Sequence, residues 1–508
     1  MDTELNETDV AIVGLGPAGA TLANLLGLAG LNVLVFEREK EIYPLPRAIH
    51  FDGEIMRVFQ SIALKEEITA ISRTGLKGMH FVNAENKTLL VRGGTGLKGP
   101  HGCANNYYFH QPHLEKILRL GLKRFSNVKT YLGQEVVDII QKNGHCEIEV
   151  YDRKNHRIQQ YKAAYVIGCD GAKSFVRKKI KSQSIDLGLE QPWLVFDIIL
   201  NDELASLPDH TVQICDPSRP MTYCYVTQKR RRFEIMLLPG DNKDTLIESD
   251  NLWKLVSKWI RPEQANIERA AIYTFHSLIN EKWRDERLII LGDSAHQTPP
   301  FLGQGMCACI RDASNLAWKL LMVIKDEVAN KLLDSYETER SPHVRSFIEL
   351  AVKLGSIIQT TDPAEAKKRD QELLSNPNNI FQFPSPKLGQ GFSAGSDPLV
   401  NTIFPQPELK SGLLMDDQVG NNFVLICKNK TLLQDILESN IENAKYLKLN
   451  TTSFKTLIAA EHPNVDQWLN ERNIALVLIR PDRYIAAASK SSKEMIGHLL
   501  ELNESLQN

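Results

Sequence analysis

Residues 8–19 read TDVAIVGLGPAG, and residues 32–37 read NVLVFE. Each run is short, apolar and β-branched, which predicts a strand buried on both faces of a parallel sheet. Gly14, Gly16 and Gly19 form the pattern G-x-G-x-x-G at the turn from the first strand into a helix. In that pattern the first glycine allows the tight turn, the second lets the backbone approach a diphosphate, and the third lets the helix pack on the strand. The stretch therefore predicts an α/β nucleotide-binding fold.

The residues after this turn supply the other parts of a dinucleotide site. The helix that starts near Pro17 and Ala18 offers unpaired N–H groups and a partial positive charge to phosphates. Glu37 ends the second strand 18 residues after Gly19 (37 − 19), where a carboxylate accepts hydrogen bonds from a ribose. A glycine-rich turn that only packs would leave this carboxylate unexplained. The stretch predicts a dinucleotide site, and NAD and FAD are both open at this point.

Composition limits the other possibilities. The 508 residues are enough for two or three domains, and 60 Lys and Arg balance 62 Asp and Glu. Because the net charge is small, we expect binding neither to nucleic acid nor to an acidic membrane surface. The 8 cysteines have no metal-binding spacing, so we expect no metal site and reduced thiols in the cytoplasm. The acidic amino terminus is not expected to be a signal peptide, and the glycines in the apolar run 10–36 favour strands and turns over a membrane span.

Carboxylates after two later strands favour FAD over NAD. Asp170 and Asp293 each follow a short apolar strand, which is where ligands bind in open α/β sheets. Gly303 and Gly305 then open a long helix, whose dipole and N–H groups can stabilise negative charge on a ring carbonyl. Asp293 can accept a hydrogen bond from a ribityl hydroxyl. A nicotinamide nucleotide does not require this second set of groups, whereas the far half of FAD does.

Two other polar residues are candidates for contacts with the cofactor. Arg47 follows Pro46 in a stiffened loop and is expected near the phosphates, although a surface arginine is the alternative. Gln111 starts a helix that is expected to run to Phe125, with a proline in its first turn. From there Gln111 could reach a ligand or simply cap the helix, and the residues alone leave both possibilities open.

The pattern changes between residues 190 and 280. Runs of strand length, separated by turns such as Asp216-Pro217, predict a mostly antiparallel sheet inserted in the nucleotide fold. The basic run at residues 229–232 is expected to be a solvated hairpin. A helix is expected from Ser341-Pro342 to about Thr361. Residues 362–410, rich in Pro, Asn, Gly and Ser, predict a long linker before a small α/β domain.

Three separated motifs resemble those of the single-component flavoprotein aromatic monooxygenases, which have the para-hydroxybenzoate hydroxylase fold. They are the glycine pattern at residues 14–19, Asp170-Gly171, and Gly292-Asp293 together with the GQG at 303–305. More narrowly, the chain is similar to 3-(3-hydroxyphenyl)propionate hydroxylases, and this resemblance covers almost the whole chain. The runs that carry it lie at residues 46–48, 215–220, 232–234, 311–319, 404–407, 417–423 and 480–484.

The resemblance implies an enzyme that hydroxylates a phenolic ring with FAD, O₂ and NADH or NADPH. In the family, NAD(P)H reduces FAD, O₂ adds at flavin C4a, and the ring attacks the distal oxygen of the hydroperoxide. The C-terminal domain of relatives resembles thioredoxin, but Cys427 stands alone here, so we expect no thiol–disulfide reaction. The residues expected to bind the cofactor are Gly14, Gly16, Pro17, Ala18, Gly19, Glu37, Arg38, Arg47, Gln111, Asp170, Asp293, Pro300, Gly303, Gly305 and Met306.

Deprotonation of a phenol calls for a base with a pKa near the operating pH. The candidates are His296, His50, Tyr223 and Tyr225. The alternative to a catalytic role is a structural one, because a lone histidine is often structural and two tyrosines on one strand usually serve packing. Expected substrate contacts are Tyr223, Pro299 and Arg219, the last of which would pair with a carboxylate unless it is only an exposed loop arginine.

The predicted fold class is α/β, with a Rossmann-like FAD-binding domain, an inserted mostly antiparallel β-sheet substrate domain and a C-terminal thioredoxin-like domain without C-x-x-C. We expect a monomer or a homodimer. The predicted boundaries are 1–74, 110–189 and 281–361 for the FAD-binding domain, 75–109 and 190–280 for the substrate domain, 362–410 for the linker, and 411–508 for the thioredoxin-like domain.

Other functions share parts of this pattern. An FAD halogenase would carry W-x-W-x-I-P, and Trp253 and Trp259 are too far apart for that motif. An FAD-dependent hydroxylase, reductase or epoxidase of a larger polyketide- or isoprenoid-type compound would share all three motifs. A non-catalytic FAD-binding redox module would bind flavin without substrate-stimulated NAD(P)H oxidation. The last two alternatives stay open.

Overall fold

The structure is a computed structural model. It describes residues 6–93, 98–202, 206–325, 328–376, 380–381, 385–439 and 454–507. The strands are β1 (Asn6–Val13), β2 (Val33–Glu37), β3 (His50–Asp52), β4 (Arg73–Thr74), β5 (Met79–Val82), β6 (Thr88–Arg92), β7 (Asn106–Tyr108), β8 (Val128–Leu132), β9 (Gln134–Gln141), β10 (Cys146–Asp152), β11 (Arg157–Gly168), β12 (Ser184–Leu200), β13 (Thr211–Ile214), β14 (Met221–Tyr225), β15 (Arg230–Met236), β16 (Ala265–Asn280), β17 (Arg284–Asp285), β18 (Leu288–Ile290), β19 (His296–Gln297), β20 (Ile380–Phe381), β21 (Phe423–Cys427), β22 (Phe454–Ile458), β23 (Leu476–Ile479) and β24 (Ile485–Ser489).

The helices separate groups of consecutive strands, such as β8 to β11 and β12 to β15. Short 3₁₀ turns at Gly292–Ser294 and Pro300–Leu302 lie next to the predicted cofactor residues. The helices are α1 (Pro17–Leu28), α2 (Gly53–Ser61), α3 (Lys65–Ala70), α4 (Gln111–Gly121), α5 (Phe175–Ile180), α6 (Lys243–Leu246), α7 (Ser249–Leu255), α8 (Gly305–Lys325), α9 (Asp334–Ile358), α10 (Pro363–Leu374), α11 (Met415–Val419), α12 (Lys430–Glu438), α13 (Pro463–Glu471) and α14 (Ser492–Gln507).

The first sheet has the strand order β17-β18-β11-β1-β2-β8. β1 pairs in parallel with β2 and β11, and β11 pairs in parallel with β18. Residues 10–13 are buried on both faces of the sheet, which explains the unbroken apolar run. Because parallel strands end at the same edge, the turns after β1, β11 and β18 come together there. The predicted α/β fold is confirmed.

The second sheet has the order β19-β16-β12-β15-β14-β13-β5-β6-β20. Its long strands β12 and β16 pair antiparallel from Ser184↔Asn280 to Leu200↔Ala265. One face packs on α7 and on Trp259 through a cluster that includes Phe196, Phe233 and Ile235. The opposite face is turned towards the nucleotide sheet, as shown below. The predicted mostly antiparallel sheet is therefore present.

Two segments differ from the sequence-based expectations. Residues 362–410 are not a linker throughout, because Asp362 caps α10 by accepting from the N–H groups of Ala364 and Glu365, and β20 pairs with β6. The helix expected to begin at Ser341-Pro342 begins at Asp334 instead and contains Pro342 in its interior. A proline typical of a first turn was thus a misleading signal for the start of α9.

The C-terminal unit contains a sheet of order β22-β21-β23-β24. β21 pairs in parallel with β22 and antiparallel with β23, and helices α12 and α14 pack together beside it. Cys427 is buried, and burial raises the pKa of its thiol to about 12, so it is no nucleophile at neutral pH. The thioredoxin-like assignment of this unit stays a prediction. None of the described helices is both long and apolar enough to cross a membrane.

A buried ionic cluster, which we call the Arg480 cluster, joins the C-terminal unit to α8 and α9. The Arg480 guanidinium donates to both carboxylate oxygens of Glu339, each at 2.8 Å. It also donates to Asp482 at 3.0 and 2.5 Å. Lys319 Nζ donates to Glu339 Oε2 at 2.7 Å, and Asn315 bridges Glu339 and Asp482. All five side chains are buried. Solvent therefore weakens the electrostatic attraction between their charges less than it would at the protein surface.

Candidate active site

A cavity with about 1810 Å³ of empty space, including space at its mouth, is lined by both sheets. Because its lining runs from the start of α1 to the face of the second sheet, a dinucleotide and a second, smaller molecule can share this cavity. From the nucleotide side it is lined by Gly16, Pro17, Ala18, Arg47, His50, Gln111, Gly171, Asp293, Pro300, Gly303, Gly305 and Met306. From the substrate sheet it is lined by Met79, Val195, Thr211, Gln213, Thr222, Cys224, Arg232, Glu234, Arg269 and Tyr273.

The three glycines of the first turn have different surroundings. Gly14 has φ +101°, and a Cβ there would lie 2.5 Å from the carbonyl oxygen of Cys169. A Cβ on Gly19 would lie 2.1 Å from the carbonyl oxygen of Gly14. A Cβ on Gly16 would meet nothing within 4 Å, and Gly16 lines the cavity. The middle glycine therefore leaves space at the start of α1 that fits the diphosphate of FAD.

This contrast gives a prediction for two single substitutions. Gly19→Ala should destabilise the protein without flavin by about 1–3 kcal/mol, because its Cβ overlaps the backbone at Gly14. Gly16→Ala should change the stability of the apoprotein by less than about 1 kcal/mol but weaken FAD binding. Urea unfolding of the apoproteins and FAD titration measure the two effects. Equal loss of apoprotein stability in both variants would mean that the turn only packs.

Glu37 and Arg38 do not line the cavity. Glu37 Oε2 accepts from the Leu15 N–H at 2.8 Å, so this carboxylate holds the glycine turn. Arg38 is 64% exposed in its side chain and lies 3.2 Å from Glu39. The ribose contact of Glu37 and the FAD contact of Arg38 stay predictions.

Gln111 fixes the loop that brings Arg47 to the cavity. Its side-chain oxygen accepts from the backbone N–H groups of Arg47 and Ala48 at 2.9 and 2.7 Å, and its amide donates to Glu115 at 2.8 Å. Gln111 also lines the cavity, whereas the position before it, His110, makes no side-chain cap. Gln111 thus holds the loop and also lines the cavity. Arg47 lines the cavity too, and its contact with the phosphates of FAD stays a prediction.

The two strand-end carboxylates have different positions. Asp293 lines the cavity on the turn after β18, where the thiol of Cys309 lies 3.6 Å from its Oδ1. Asp170 instead accepts from the hydroxyls of Ser174 and Ser294 and from the N–H groups that start α5. Gly171, next to it, lines the cavity through its backbone. The geometry fits Asp293 as the carboxylate for a ribityl hydroxyl, while the contact of Asp170 with FAD stays a prediction.

The far end of the cavity is formed by the turn before α8. Gly303 has φ +62°, and a Cβ there would lie 2.9 Å from His50 Nδ1. Gly305, Met306 and Pro300 line the cavity, and α8 directs its amino-terminal dipole into it. The Thr298 hydroxyl, in the same wall, is buried without a hydrogen-bond partner in the described part of the chain. These groups fit the polar edge of an isoalloxazine ring.

Arg311 connects this turn to its neighbours. The guanidinium donates to Gln304 Oε1 at 2.9 Å, Asp52 Oδ2 at 2.5 Å and Glu54 Oε2 at 2.7 Å. The hydroxyl of Tyr484, from the C-terminal unit, donates to the other oxygen of Glu54 at 3.1 Å. One arginine therefore sets the position of the GQG turn against the strand that carries His50.

The substrate sheet presents alternate residues to the cavity. Thr222 and Cys224 of β14 line it, so Tyr223 and Tyr225 lie on the opposite face. Tyr223 stacks on Trp259, and its hydroxyl donates to the carbonyl of Pro208. Tyr225 packs under the guanidinium groups of neighbouring arginines. The prediction that these tyrosines act on the substrate is wrong, because the strand shows the cavity its other face.

Three other predicted residues also lie away from the cavity. His296 is buried, and its Nε2 lies 2.7 Å from Asp312 Oδ2, in a buried group of three residues that also contains Arg340. Arg219 is held by Asp241 at 2.5 and 3.2 Å and is not free to bind a carboxylate. Pro299 is not among the lining residues, although its neighbour Pro300 is. Of the four candidate bases, only His50 lines the cavity.

The polar wall of the substrate sheet contains a residue that sequence reasoning missed. Glu234 of β15 lies in register between Val195 and Thr222, and all three line the cavity. Arg232, two residues earlier, is fully buried and forms a bidentate pair with Asp197 at 2.7 and 3.1 Å. The predicted solvated hairpin at 229–232 is thus wrong for Arg232. The alternation of charged and aromatic residues in Arg-Phe-Glu was the available sequence signal for these residues. Alternation does not show, however, which face of the strand is buried.

Comparison with known proteins agrees with this site. Residues 7–351 match the family described as FAD binding domain, and residues 401–501 match the HcaD C-terminal domain. The chain is 32% identical over 506 residues to a probable NADH-specific resorcinol 4-hydroxylase of Rhodococcus jostii (strain RHA1), covering 97% of this chain and 94% of that one. It is 30% identical to a 3-(3-hydroxy-phenyl)propionate/3-hydroxycinnamic acid hydroxylase of Escherichia coli O139:H28, covering 95% and 92%.

Solved structures agree at the level of the fold. The flavin-dependent monooxygenase PieE, in complex with FAD and substrate, superposes with a TM-score of 0.82 at 17% identity, covering 98% of this chain and 99% of that one. Aklavinone-11 hydroxylase, in a ternary complex with FAD and aklavinone, gives a TM-score of 0.81 at 18% identity with the same coverage. The chain belongs to the FAD binding domain family and, within it, to the FAD-dependent aromatic monooxygenases.

Proposed function

We propose that this protein hydroxylates a small phenolic compound with O₂ and NADH, using FAD bound in the cavity. The observation that carries the proposal is the continuity of one cavity, from the open face of Gly16 past Asp293 to a polar wall beyond the GQG turn. The relatives that share more than nine-tenths of its length have names that specify phenolic ring hydroxylation, and one name specifies NADH. FAD, when bound, supplies the electron transfer and oxygen chemistry of the reaction.

The chain's own residues have three tasks in this proposal. The start of α1, Arg47 and Asp293 hold the cofactor, while the turn at Gly303 and Gly305 directs backbone N–H groups at the ring. The substrate-sheet face encloses the ring to be hydroxylated and keeps bulk water out. Polar groups on that face orient the substrate hydroxyl, which sets the position on the ring that reacts. We also propose a cytoplasmic location, which the eight free thiols support.

The test of the function is product formation with a panel of phenols. We expect the purified, FAD-loaded protein to oxidise NADH faster with benzene-1,3-diol or a hydroxyphenyl-propionate than without a phenol. Most of the NADH should appear as hydroxylated product rather than as H₂O₂, measured by chromatography and a peroxide assay. Bound flavin without coupling to any phenol would contradict the proposal. Coupling only to large polycyclic phenols would favour the alternative of a secondary-metabolite hydroxylase.

A further inference from the structure

The carboxyl group of Glu234 lines the cavity, and its one recorded ion pair among the described residues is a long contact with Arg232. Its side chain is 14% exposed, and its nearest opposite charge is Arg232 Nη1 at 3.6 Å, which is longer than a hydrogen bond. No hydrogen bond within 3.5 Å joins it to another side chain in the described ranges. A buried carboxylate left in this state is costly unless a ligand completes its contacts.

Arg232 does not need Glu234 as its counter-ion. Its Nε and Nη2 donate to Asp197, its Nη2 also donates to the carbonyl of Pro46 at 2.6 Å, and its Nη1 donates to the carbonyl of Arg47 at 2.8 Å. These bonds hold the loop at 46–47 against β15 and use each nitrogen of the guanidinium. The carboxylate of Glu234 therefore keeps only its long contact with Arg232 and can still accept a hydrogen bond from a ligand in the cavity.

The cavity wall carries two carboxylates among the described residues, Glu234 and Asp293, and Asp293 is the one placed for the cofactor. Both ring nitrogens of His50 face acceptors, with Nδ1 at 3.3 Å from the carbonyl of Gly303 and Nε2 at 2.9 Å from Asn106 Oδ1. Thr222 donates to Gln213 Oε1 at 2.7 Å, and the amide of Gln213 donates to the carbonyl of Met221 at 3.0 Å. These partners leave Glu234 as the acceptor best placed to receive a donor from a bound ring.

We propose that Glu234 binds the phenolic hydroxyl of the substrate and takes its proton. This inference rests on the proposed function. The phenol O–H bond breaks, an O–H bond forms on the Glu234 carboxylate, and the electron pair stays on the phenolate oxygen. The extra negative charge makes the ring a better nucleophile. After hydroxylation the proton returns to the product oxygen, so Glu234 ends the cycle ionised, as it began it.

The surroundings of Glu234 suit a base of this kind. Burial raises the pKa of Glu234 above its ordinary value of 4.5, and the charge of Arg232 opposes that rise. The other groups that face it are Asp197 on β12, Arg269 on β16 and Cys224 on β14. Asp197 raises the pKa of Glu234 and Arg269 lowers it. A carboxylate whose pKa is raised towards neutrality is a stronger base for a phenol than an exposed one.

The first experiment compares Glu234→Gln with Glu268→Gln, using FAD-loaded protein, NADH and benzene-1,3-diol. Glu268 of β16 pairs with Arg230 of β15 across the intervening strand β12 and does not line the cavity, so it is the matched control. We expect Glu234→Gln to lower the rate of product formation about 100-fold or more, because general bases contribute at least that factor. Glu268→Gln should stay within about twofold of the wild type. Glu234→Asp, which keeps the carboxylate, should recover part of the loss.

The second measurement separates a base from a merely structural carboxylate. In a series of fluorinated resorcinols of increasing acidity, the rate of Glu234→Gln should rise as the phenol becomes more acidic, and the wild-type rate should change little. The wild-type pH profile should lose its acidic limb in Glu234→Gln. Product formation within threefold of wild type in Glu234→Gln, or no dependence on phenol acidity, would overturn the inference. If the wild type itself makes no product from any phenol, the proposed function fails instead.

Discussion

An Arg480→Met variant is expected to lose about 3–5 kcal/mol of unfolding free energy, the usual cost of removing one partner from a buried ion pair. Arg480 is the main counter-ion of Glu339 and Asp482, and all three are fully or almost fully buried. Without it, two carboxylates remain in the interior with Lys319 as the nearest cation. Urea unfolding of wild type and variant measures the loss. Arg472→Met is the control, since Arg472 is 37% exposed beside Glu471 and should cost no more than about 1 kcal/mol.

Acid unfolding provides a second measurement of the Arg480 cluster. Burial would raise the pKa of Glu339, but the charges of Arg480 and Lys319 lower it to about 2. Because the folded pKa lies below the ordinary value of 4.5, this stabilisation is complete above pH 4.5 and is lost as the pH falls towards 2. In Arg480→Met the pKa of Glu339 should rise, and the acid-unfolding midpoint should move to higher pH. An unchanged midpoint together with unchanged urea stability would show that the cluster does not hold the C-terminal unit.

An Asp293→Ala variant is expected to bind FAD about 10- to 150-fold more weakly than the wild type. Its carboxylate is placed to accept a charge-assisted hydrogen bond worth about 1.5–3 kcal/mol, and about 1.4 kcal/mol corresponds to a factor of ten. Asp293 lines the cavity on the turn after β18, and among the described residues its carboxylate has only a thiol contact, at 3.6 Å. Titration of the apoprotein with FAD, followed by quenching of flavin fluorescence, measures the change.

The controls for this experiment separate loss of a ligand contact from loss of fold. Asp293→Asn keeps an acceptor without the charge and should lie between wild type and Asp293→Ala. Thermal unfolding of the three apoproteins should give similar midpoints, because Asp293 makes no strong contact within the described residues. If Asp293→Ala purifies with a full complement of FAD and an unchanged dissociation constant, the assignment of this carboxylate to the cofactor is wrong.

Local patterns predict which residues form the cofactor half of the site. The glycine turn, the strands around it and the acid after β18 each have a signature within about thirty residues. The structure brings Gly16, Arg47, Asp293 and the GQG turn to one cavity, while their contacts with FAD stay predictions. Each of these features is formed by residues that are close together in the sequence. A short stretch of sequence is therefore enough to predict it.

The substrate half was predicted less well, for a physical reason. A strand has two faces, and a period of two gives no information on which face is buried. The tyrosines of β14 were therefore chosen although Thr222 and Cys224 face the cavity, and Glu234 was overlooked. Long-range pairs were equally hidden, since Arg480 and Glu339 are 141 residues apart and neither has a local signal. Their contact exists only once the sheets and helices are assembled.

The hydrogen bond from Tyr484 to Glu54 has a consequence for protein engineering. Through Glu54 and Arg311, the C-terminal unit supports the same turn that is placed to meet the flavin. Chimeras that exchange this unit between relatives should retain efficient oxygen use only when the tyrosine, the glutamate and the arginine come from matching parents. In directed evolution, the last hundred residues should therefore be treated as part of the catalyst and not as a removable appendage.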